Sequence, residues 1–399
     1  MPFVLLNHPD YVEYVLVTNN RNFIKSVQFR AGETVLGNGL VMSQGDFWLR
    51  QRRLMQPAFH RERIDSYGET MVAHTQRALS TWQQGLTYDV HKEMSRLTMG
   101  IVGKTLFDAD FSDVSVELSA TLTRTFECLA ERLNSLWLLL PDTVPIPTNV
   151  RLRSAVRKLD AAIYPMIRER RANSEDRGDL LSTLVQVLDE DDGRGMTDRQ
   201  VRDEIMTLFV AGHETTANAL TWAWYLLAEH PDVEARLVAE VDQVLGGKPP
   251  TPSDLSRLRY AEMVISETLR LYPPVPALGR EAKADCEIGG YPVRKGTSLI
   301  LCMWTLHRDS RFFEDPEEFK PERWGDGSSD GRPRFAYFPF SGGPRQCIGA
   351  GFAIMEAVLI LTSVIQALRF RLVPGQDVSP WIAPTVRPKY GLKMIVEHR

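Results

Sequence analysis

The sequence feature that most constrains the fold is a helical pattern about 32 residues long. Thr197-Asp-Arg-Gln200 matches a capping box, in which the two outer side chains bond each other's backbone amides, and it predicts a helix start. Apolar residues then recur every three or four positions up to Glu229, and Pro231 predicts the start of the next helix. At about 1.5 Å per residue this helix would be roughly 48 Å long, so we expect it to cross the middle of the protein.

The composition predicts an ordinary globular protein with a substantial core. Of the 399 residues, 43% are hydrophobic and 25% are charged, and the net charge of −4 offers no basic excess for binding nucleic acid. The four cysteines lack CxxC spacing, which argues against a zinc ribbon or a disulfide scaffold and favours a reducing, cytoplasmic compartment. The sequence opens with no signal peptide and has no run of about 18 apolar residues, so we expect no transmembrane anchor.

The pattern along the chain predicts one mainly α domain with small β-sheets over residues 1–399. We expect strands only in the C-terminal half, apart from a strand-like start at residues 1–10, and a hairpin at Gly289-Gly290. Because that start is abrupt, we expect the chain to begin inside a domain. Beyond the long helix, helical spacing marks residues 46–59, 89–107, 133–140 and 151–171, and strand-like spacing marks residues 286–293, 297–303 and 392–396.

A single cysteine lies in a loop of small and turn-forming residues. Cys347 belongs to Phe340-Ser-Gly-Gly343-Pro-Arg345-Gln-Cys347-Ile-Gly349, which precedes a helical run. The amides of this turn and the positive end of the helix would stabilise a thiolate, and Arg345 could pair with an anionic group of a cofactor. A thiolate suits iron, and a thiolate on haem iron favours O–O cleavage. The alternative is a buried structural cysteine, since free cysteines are often buried.

A second motif, Ala211-Gly212-His-Glu214-Thr215, interrupts the long helix. Gly212 alone costs about 1 kcal/mol of helix propensity, and such a violation indicates a functional or close-packing position. Gly212 would let a large group lie against the backbone. Thr215 could bond a backbone carbonyl and bend the helix, and Glu214 could relay protons. The alternative is helix packing through small residues, with Glu214 exposed.

Glu267 and Arg270 could form an ion pair in the helix that is predicted to end before Pro273. A spacing of three residues places the carboxylate and the guanidinium on one helical face. Arg323, in a proline-bounded segment, could join them, and three buried charges would lock the chain that leads to Cys347. The alternative is an ordinary surface ion pair, which contributes little stability.

Trp48 and Arg52 lie four residues apart and share one face of a predicted helix. A guanidinium and an indole N–H on one face are what the binding of a carboxylate, such as a haem propionate, requires. The alternative is a tryptophan that anchors the helix to the core beside a solvated arginine.

In this order and spacing, the motifs resemble those of the cytochrome P450 family of haem-thiolate monooxygenases. The resemblance extends from about residue 3 to the C-terminus, and includes Arg280, where members often carry a second propionate-binding arginine. The sequence departs from the family at its start, where members usually carry several tens of residues more, including a helix and strands. The other matching residues are Trp48, Arg52, Ala211, Gly212, Glu214, Thr215, Glu267, Arg270, Arg323, Phe340, Gly343, Arg345, Cys347 and Gly349.

The resemblance implies a triangular, mainly α fold with haem b between the long helix and the cysteine loop. Cys347 would be the iron ligand, and Phe340 and Gly349 would shape its pocket. The triad of Glu267, Arg270 and Arg323 would be structural rather than catalytic. The haem propionates would be held by Trp48, Arg52, Arg280 and Arg345.

The same resemblance implies an O₂-dependent monooxygenase that hydroxylates or epoxidises an apolar small molecule. Glu214 and Thr215 would deliver the protons. A peroxide-using enzyme or an isomerase of this fold would tend to lose that pair, and a non-catalytic haem binder is a further alternative. The substrate would be apolar, such as a fatty acid, terpenoid or steroid, and its pocket would include Leu136, Trp137, Leu208, Val275, Leu278 and Ile382.

Electrons would come from separate redox partners, because the chain contains no flavin or iron–sulfur motif after the cysteine loop. The basic residues Arg50, Arg53 and Arg345 predict docking of an acidic ferredoxin or flavodoxin. We expect the protein itself to be a monomer.

Overall fold

The computed structural model describes residues 3–26, 32–109, 144–173, 177–189, 193–327, 331–382 and 384–399, together with scattered positions between 121 and 135. The helix predicted at residues 133–140 lies outside the described residues, except for Ser135.

Helices make up most of the described chain, as the sequence predicts. The helix expected at residues 46–59 ends at Met55 and continues as a 3-10 turn, Gln56–Phe59, because Pro57 cannot continue the α-helical bonding. The described helices are α1 (Pro9–Glu13), α2 (Glu33–Leu36), α3 (Gly45–Met55), α4 (Arg61–Leu79), α5 (Val90–Phe107), α6 (Pro147–Asn173), α7 (Leu180–Gln186), α8 (Asp198–Glu229), α9 (Pro231–Leu245), α10 (Arg259–Leu271), α11 (Met303–Leu306) and α12 (Ala350–Ala367).

Helix α8 has the predicted length and ends, since it spans 32 residues from Asp198 to Glu229. Its capping box is formed. The Thr197 N–H donates to Gln200 Oε1 at 2.7 Å, and the Gln200 N–H donates to Thr197 Oγ1 at 3.3 Å. Helix α9 begins at Pro231, where a missing backbone N–H costs no hydrogen bond.

The strands are short, and their positions correct one expectation. The described strands are β1 (Phe3–Leu6), β2 (Phe23–Lys25), β3 (Thr87–Asp89), β4 (Ala277–Ala282), β5 (Cys286–Ile288), β6 (Tyr291–Val293), β7 (Ser298–Cys302), β8 (Leu368–Leu372), β9 (Pro380–Ile382), β10 (Val386–Pro388) and β11 (Lys393–His398). Strands β2 and β3 lie in the N-terminal half, where only the start was expected to be strand-like. Each has three residues, too few for an alternating pattern to distinguish a strand from a loop.

These strands pair into small sheets within the described chain. One sheet has the order β1-β7-β4-β2, with β1 parallel and β4 antiparallel to β7, and another has the order β3-β11-β8. The remaining pairs are the hairpins β5-β6 and β9-β10. The β5-β6 turn lies at Gly289-Gly290 as predicted, and the φ angles of +60° and +84° are those that favour glycine in a two-residue turn.

The chain divides into two compact units. The first consists of Met1–Ile24, Ile64–Thr98 and Glu214–Arg399, and the second of Lys25–Arg63 and Met99–His213. In the first unit, a core cluster forms around the β1-β7-β4 sheet from residues such as Leu6, Val12, Leu299, Leu301 and Phe338. The first unit contains the cysteine loop, α10 and α12, and the second contains α3 and α6.

Helix α12 is an exceptionally apolar element of the first unit. Among the described helices it alone has the length and hydropathy of a membrane span, with a mean hydropathy of 1.8 over Ala350–Ala367. This differs from the prediction that the chain has no run of about 18 apolar residues. Because 67% of this helix is buried inside the protein, its burial is that of a core helix.

Candidate active site

The cysteine loop presents Cys347 on the outside of a tight turn. The Cys347 N–H donates to the Phe340 carbonyl at 2.9 Å, which closes the loop. Gly343 has a φ of +67°, and a Cβ there would lie 2.0 Å from the carbonyl oxygen of Leu16, so a larger residue does not fit. The Cys347 side chain is exposed, so it is not the buried structural cysteine considered as the alternative.

The same loop leads directly into α12. Gly349 is the N-cap residue of this helix, and its carbonyl accepts a hydrogen bond from the Ala353 N–H at 2.9 Å. Cys347 therefore lies next to the positive end of α12, which favours the thiolate form of its side chain. The φ of Gly349 is −91°, which any residue can adopt, so the backbone conformation does not explain this glycine.

Arg280 and Arg345 place two positive charges near each other, and Arg280 is buried while Arg345 is half-buried. Arg280 on β4 is 6% exposed, and its Nη1 donates to the Gly279 carbonyl at 2.9 Å. Burial lowers the pKa of Arg280 to about 10. Burial and the charge of Arg280 lower the pKa of Arg345 to about 10. A carboxylate near two guanidinium groups lowers their mutual repulsion, so the pair suits an anionic ligand.

Glu214 is buried in the part of α8 that belongs to the first unit. It is 8% exposed, and its Oε1 accepts a hydrogen bond from Thr385 Oγ1 at 2.7 Å. Burial raises the pKa of Glu214, while the Thr385 hydrogen bond and the charge of Arg387 act in the opposite direction. Thr215 beside it is half-buried. Glu214 is thus not the exposed residue of the alternative interpretation, and it can hold a proton away from bulk water.

The preceding part of the motif lies in the second unit. Ala211 and Gly212 are half-buried, and a Cβ on Gly212 would lie 3.1 Å from Val102 Cγ2. Gly212 therefore allows close packing of α8 against α5, as the packing alternative predicted for it. His213 is buried, and its Nδ1 lies 2.7 Å from the Phe209 carbonyl oxygen, so it has a packing role.

Helix α3 carries Trp48 and Arg52, also in the second unit. Both side chains are half-buried, and Arg52 Nε donates to Gln56 Oε1 at 3.0 Å. Arg50 on the same helix pairs with the buried carboxylate of Asp189 at 3.1 Å and donates to the Arg194 carbonyl at 2.7 Å. The charge of Arg50 is therefore at least partly compensated by Asp189. The Arg53 side chain is exposed.

The predicted triad meets at Glu267, whose side chain is fully buried. Arg270 Nε and Nη2 donate to its two oxygens at 2.9 and 2.8 Å, and Arg323 Nε donates to Oε1 at 2.8 Å. Two further donors to Glu267 were not predicted from the sequence, the Trp324 indole at 2.9 Å and the Lys320 N–H at 3.0 Å. Five donors around one carboxylate give a buried charge the partners it requires.

Arg270 uses its remaining donors on backbone carbonyls. Its Nη1 donates to the carbonyls of His307 and Pro316 at 2.8 and 2.5 Å, and its Nη2 donates to that of Glu318 at 2.9 Å. These bonds fix the segment between α11 and Arg323 to α10. The arrangement is structural, since both side chains of the Glu267–Arg270 pair are 0% exposed.

The residues expected to line the substrate pocket are only partly described. Leu136 and Trp137 lie outside the described residues. Leu208 is buried in the second unit. In the first unit Val275 and Leu278 are half-buried, and Ile382 is 53% exposed.

A family model described as Cytochrome P450 matches residues 1–396. The chain belongs to the cytochrome P450 family. It is 37% identical over 368 residues to cyclooctat-9-en-7-ol 5-monooxygenase of Streptomyces melanosporofaciens, which covers 92% of this chain and 80% of that relative. It is 35% identical over 385 residues to pentalenene oxygenase of Streptomyces avermitilis, which covers 95% of this chain and 84% of that relative.

The fold of this cytochrome P450 is similar to that of a solved family member. The crystal structure of the cytochrome P450DA heme domain matches with a TM-score of 0.90 and 28% sequence identity, over 99% of this chain and 87% of that chain. The protein is therefore a haem-thiolate monooxygenase that uses O₂ to oxygenate an apolar small molecule. The exposed Cys347 thiol and the pair of Arg280 and Arg345 fit the thiolate and propionate contacts that haem needs.

Two polar residues near the cytochrome P450 motifs were missed by sequence reasoning. Glu356 on α12 is fully buried, and burial raises its pKa to about 8. Its presence in an otherwise apolar helix was a usable signal. Thr385 gave no signal, because its contact with Glu214 joins residues far apart in the sequence.

Proposed function

We propose that this cytochrome P450 oxygenates a terpenoid, using haem b and electrons from a separate redox partner. Two similar relatives are named for cyclooctat-9-en-7-ol and for pentalenene, both terpenoids, which supports this class over fatty acids and steroids. The observation that carries the haem part is Cys347, an exposed thiol at the N-terminus of α12.

Cys347 is the proposed iron ligand. Thiolate-ligated haem iron supplies the activation of O₂, because thiolate donation favours cleavage of the O–O bond. Phe340, Gly343 and Gly349 hold the loop around the sulfur. Of these, Gly343 has the clearest physical reason to be glycine, since a Cβ would collide with the Leu16 carbonyl.

Arg280 and Arg345 are the proposed propionate partners in the first unit, and the family resemblance implies the same role for Trp48 and Arg52 in the second. A carboxylate beside Arg280 would offset the desolvation of this buried guanidinium and its repulsion with Arg345. On α3, Arg52 and Trp48 supply a guanidinium and an indole N–H, the donor types that bind carboxylates.

Glu214 and Thr215 are the proposed proton-delivering residues, with Ala211 and Gly212 forming the preceding turn of α8. Glu214 is suited to this role because it is buried and its pKa is raised. A peroxygenase or an isomerase would not need such a pair. Glu267, Arg270 and Arg323 act only by fixing the chain that leads to the cysteine loop.

The proposed redox partner is an acidic protein of the ferredoxin or flavodoxin type. Arg53 is the proposed docking residue on α3, because its side chain is exposed. Neutralising Arg53 should slow reduction at low salt, whereas a rate that stays unchanged argues against this docking site.

The experiment begins with the reduced, CO-bound spectrum of the purified protein. We expect the absorption maximum of a thiolate haem, its loss in Cys347→Ser, and no change in Cys302→Ser, a control on β7. The substrate is then sought by titrating terpenoids, fatty acids and steroids and recording spectral shifts of the haem. A thiolate spectrum in Cys347→Ser would overturn the ligand assignment. Shifts with fatty acids or steroids but with no terpenoid would overturn the substrate class.

A further inference from the structure

Thr385 forms a hydrogen bond with one of the two carboxyl oxygens of Glu214. Its Oγ1 donates to Glu214 Oε1 at 2.7 Å. Glu214 Oε2 is buried and accepts no hydrogen bond from any residue that the structure describes. When Glu214 is protonated, the proton therefore belongs on Oε2, because Oε1 already accepts the threonine hydroxyl.

The chain beside Thr385 is fixed from two sides. The Val386 N–H donates to the Pro274 carbonyl at 2.9 Å, and the Val386 carbonyl accepts a hydrogen bond from Trp222 Nε1 at 3.1 Å. Trp222 lies on α8, two turns after Glu214, and stacks on Tyr272 with ring centroids 3.9 Å apart. The chain at Thr385 is thus tied to α8 through Val386, independently of the contact between Thr385 and Glu214.

Charged and polar groups surround this contact within the first unit. Arg387 on β10 lowers the pKa of Glu214, and it also lowers the pKa of His91 on α5, for which burial is the larger cause. His91 Nε2 lies 3.0 Å from Oδ1 of Asn218, one turn after Glu214 on α8. Asp89 and Lys92 act on His91, and Glu356 on α12 faces Thr216, which follows Thr215.

We propose that Thr385 is a positioning residue for Glu214, which fixes Oε1 so that the transferable proton is held on Oε2. Arg387 acts with it by setting how readily the carboxyl group ionises. This inference rests on the proposed role of Glu214 in proton delivery, but the Thr385 contact can be tested without turnover.

The expected effects follow from which form of the carboxyl group each contact favours. A hydroxyl that donates to a carboxylate stabilises the ionised form, and so does a nearby positive charge. Thr385→Val removes the donor with little change in shape, so the pKa of Glu214 rises. Thr385→Ser keeps the donor and leaves the pKa near that of the wild type. Arg387→Gln raises the pKa, whereas Lys389→Gln, at an exposed position on the same segment, is the matched control.

The measurement is an infrared pH titration of the resting holoprotein. The difference spectrum against Glu214→Gln isolates the carboxyl C=O band of Glu214, and the loss of that band with rising pH gives its midpoint. We expect the midpoint to shift upward in Thr385→Val and in Arg387→Gln, and to stay in place in Thr385→Ser and Lys389→Gln. If Thr385→Val does not fold, Thr385→Ala removes the same hydroxyl from this half-buried side chain.

An unchanged midpoint in the variants without the hydroxyl overturns the positioning role, whatever their activity. So does a serine variant that shifts as far as the valine variant. The coupling of electron use to product formation is a separate readout for Glu214→Gln. If that coupling stays at the wild-type level while the midpoints shift as expected, the proton-delivery function of Glu214 is wrong and the positioning by Thr385 stands.

Discussion

The indole N–H of Trp324 donates to Glu267 Oε2 at 2.9 Å, on the same carboxylate oxygen that accepts Arg270 Nε. Glu267 is therefore held by a tryptophan as well as by two arginines. A buried carboxylate that loses one donor keeps its full desolvation cost, so each donor should matter for stability.

Trp324→Phe should lower the free energy of unfolding of the holoprotein by about 1.5–3 kcal/mol, the range for a hydrogen bond to a charged group. Glu267→Gln should cost more, about 3–5 kcal/mol, because it leaves buried arginines without their counter-charge. Urea unfolding followed by circular dichroism measures both. Trp381→Phe, on the β9 strand, is the control. Equal stability of Trp324→Phe and the wild type would show that the indole bond contributes nothing.

Gly343→Ala should abolish the thiolate spectrum of the reduced, CO-bound protein. A Cβ there would lie 2.0 Å from the Leu16 carbonyl oxygen, so the loop around Cys347 must shift. Gly375→Ala is the matched control, because Gly375 has a φ of +75° but no atom within 4 Å of the added Cβ. The control should lose only about 1–2 kcal/mol of stability through backbone strain and keep its spectrum. A normal spectrum in both variants would show that the loop around Cys347 accommodates a Cβ at position 343.

Arg280→Met should have opposite effects on the apoprotein and on haem binding. Removing a desolvated charge beside Arg345 should raise the free energy of unfolding of the apoprotein. The same change should weaken haem retention, since one proposed propionate partner is lost. Apoprotein unfolding and the rate of haem transfer to a scavenger protein measure the two effects. Arg334→Met, at an exposed position, should change neither. A less stable apoprotein would show that Arg280 is already well compensated.

Glu356→Gln should flatten the pH dependence of stability. Burial raises the pKa of Glu356 to about 8 from an ordinary value of 4.5. Between these two values the folded state keeps a proton that the unfolded state releases. The contribution of this proton to the free energy of unfolding is therefore full below pH 4.5 and is lost as the pH rises through about 8. One such proton gives a slope of up to about 1.4 kcal/mol per pH unit. Urea unfolding between pH 5 and pH 8 tests this.

The Glu356→Gln variant should keep part of the pH dependence of stability, because burial raises the pKa of Glu204 to about 8 as well. Stability that still falls in Glu356→Gln as steeply as in the wild type would mean that Glu356 does not titrate in this window. Glu287→Gln, an exposed residue on β5, controls for the loss of a surface charge.

Features that depend on neighbouring residues were predictable from the sequence. The ends of α8 follow from the capping box at Thr197 and from Pro231, and the β5-β6 turn follows from Gly289-Gly290. Strands β2 and β3 were missed because three residues carry too little pattern, and pairing with distant strands makes them strands.

The contacts of the site side chains were less predictable, because they depend on residues distant in the sequence. The spacing of Glu267 and Arg270 predicts their pairing. The sequence around Trp324 and Lys320 contains no pattern that predicts their hydrogen bonds to Glu267. Likewise, the sequence gives no sign that Arg50 pairs with Asp189, which lies 139 positions later in the chain. Thr385 is such a case at the site itself, since only the fold brings it to Glu214.

The buried helix α12 limits how far the chain after Cys347, the proposed iron ligand, can open locally. Residues from Ala357 to Ile365 are buried, so their amides should exchange with deuterium only when the first unit opens as a whole. The cysteine loop is continuous with this helix. Local opening that moves the Cys347 sulfur should then stop within the first turns of α12, and any larger displacement should require global unfolding.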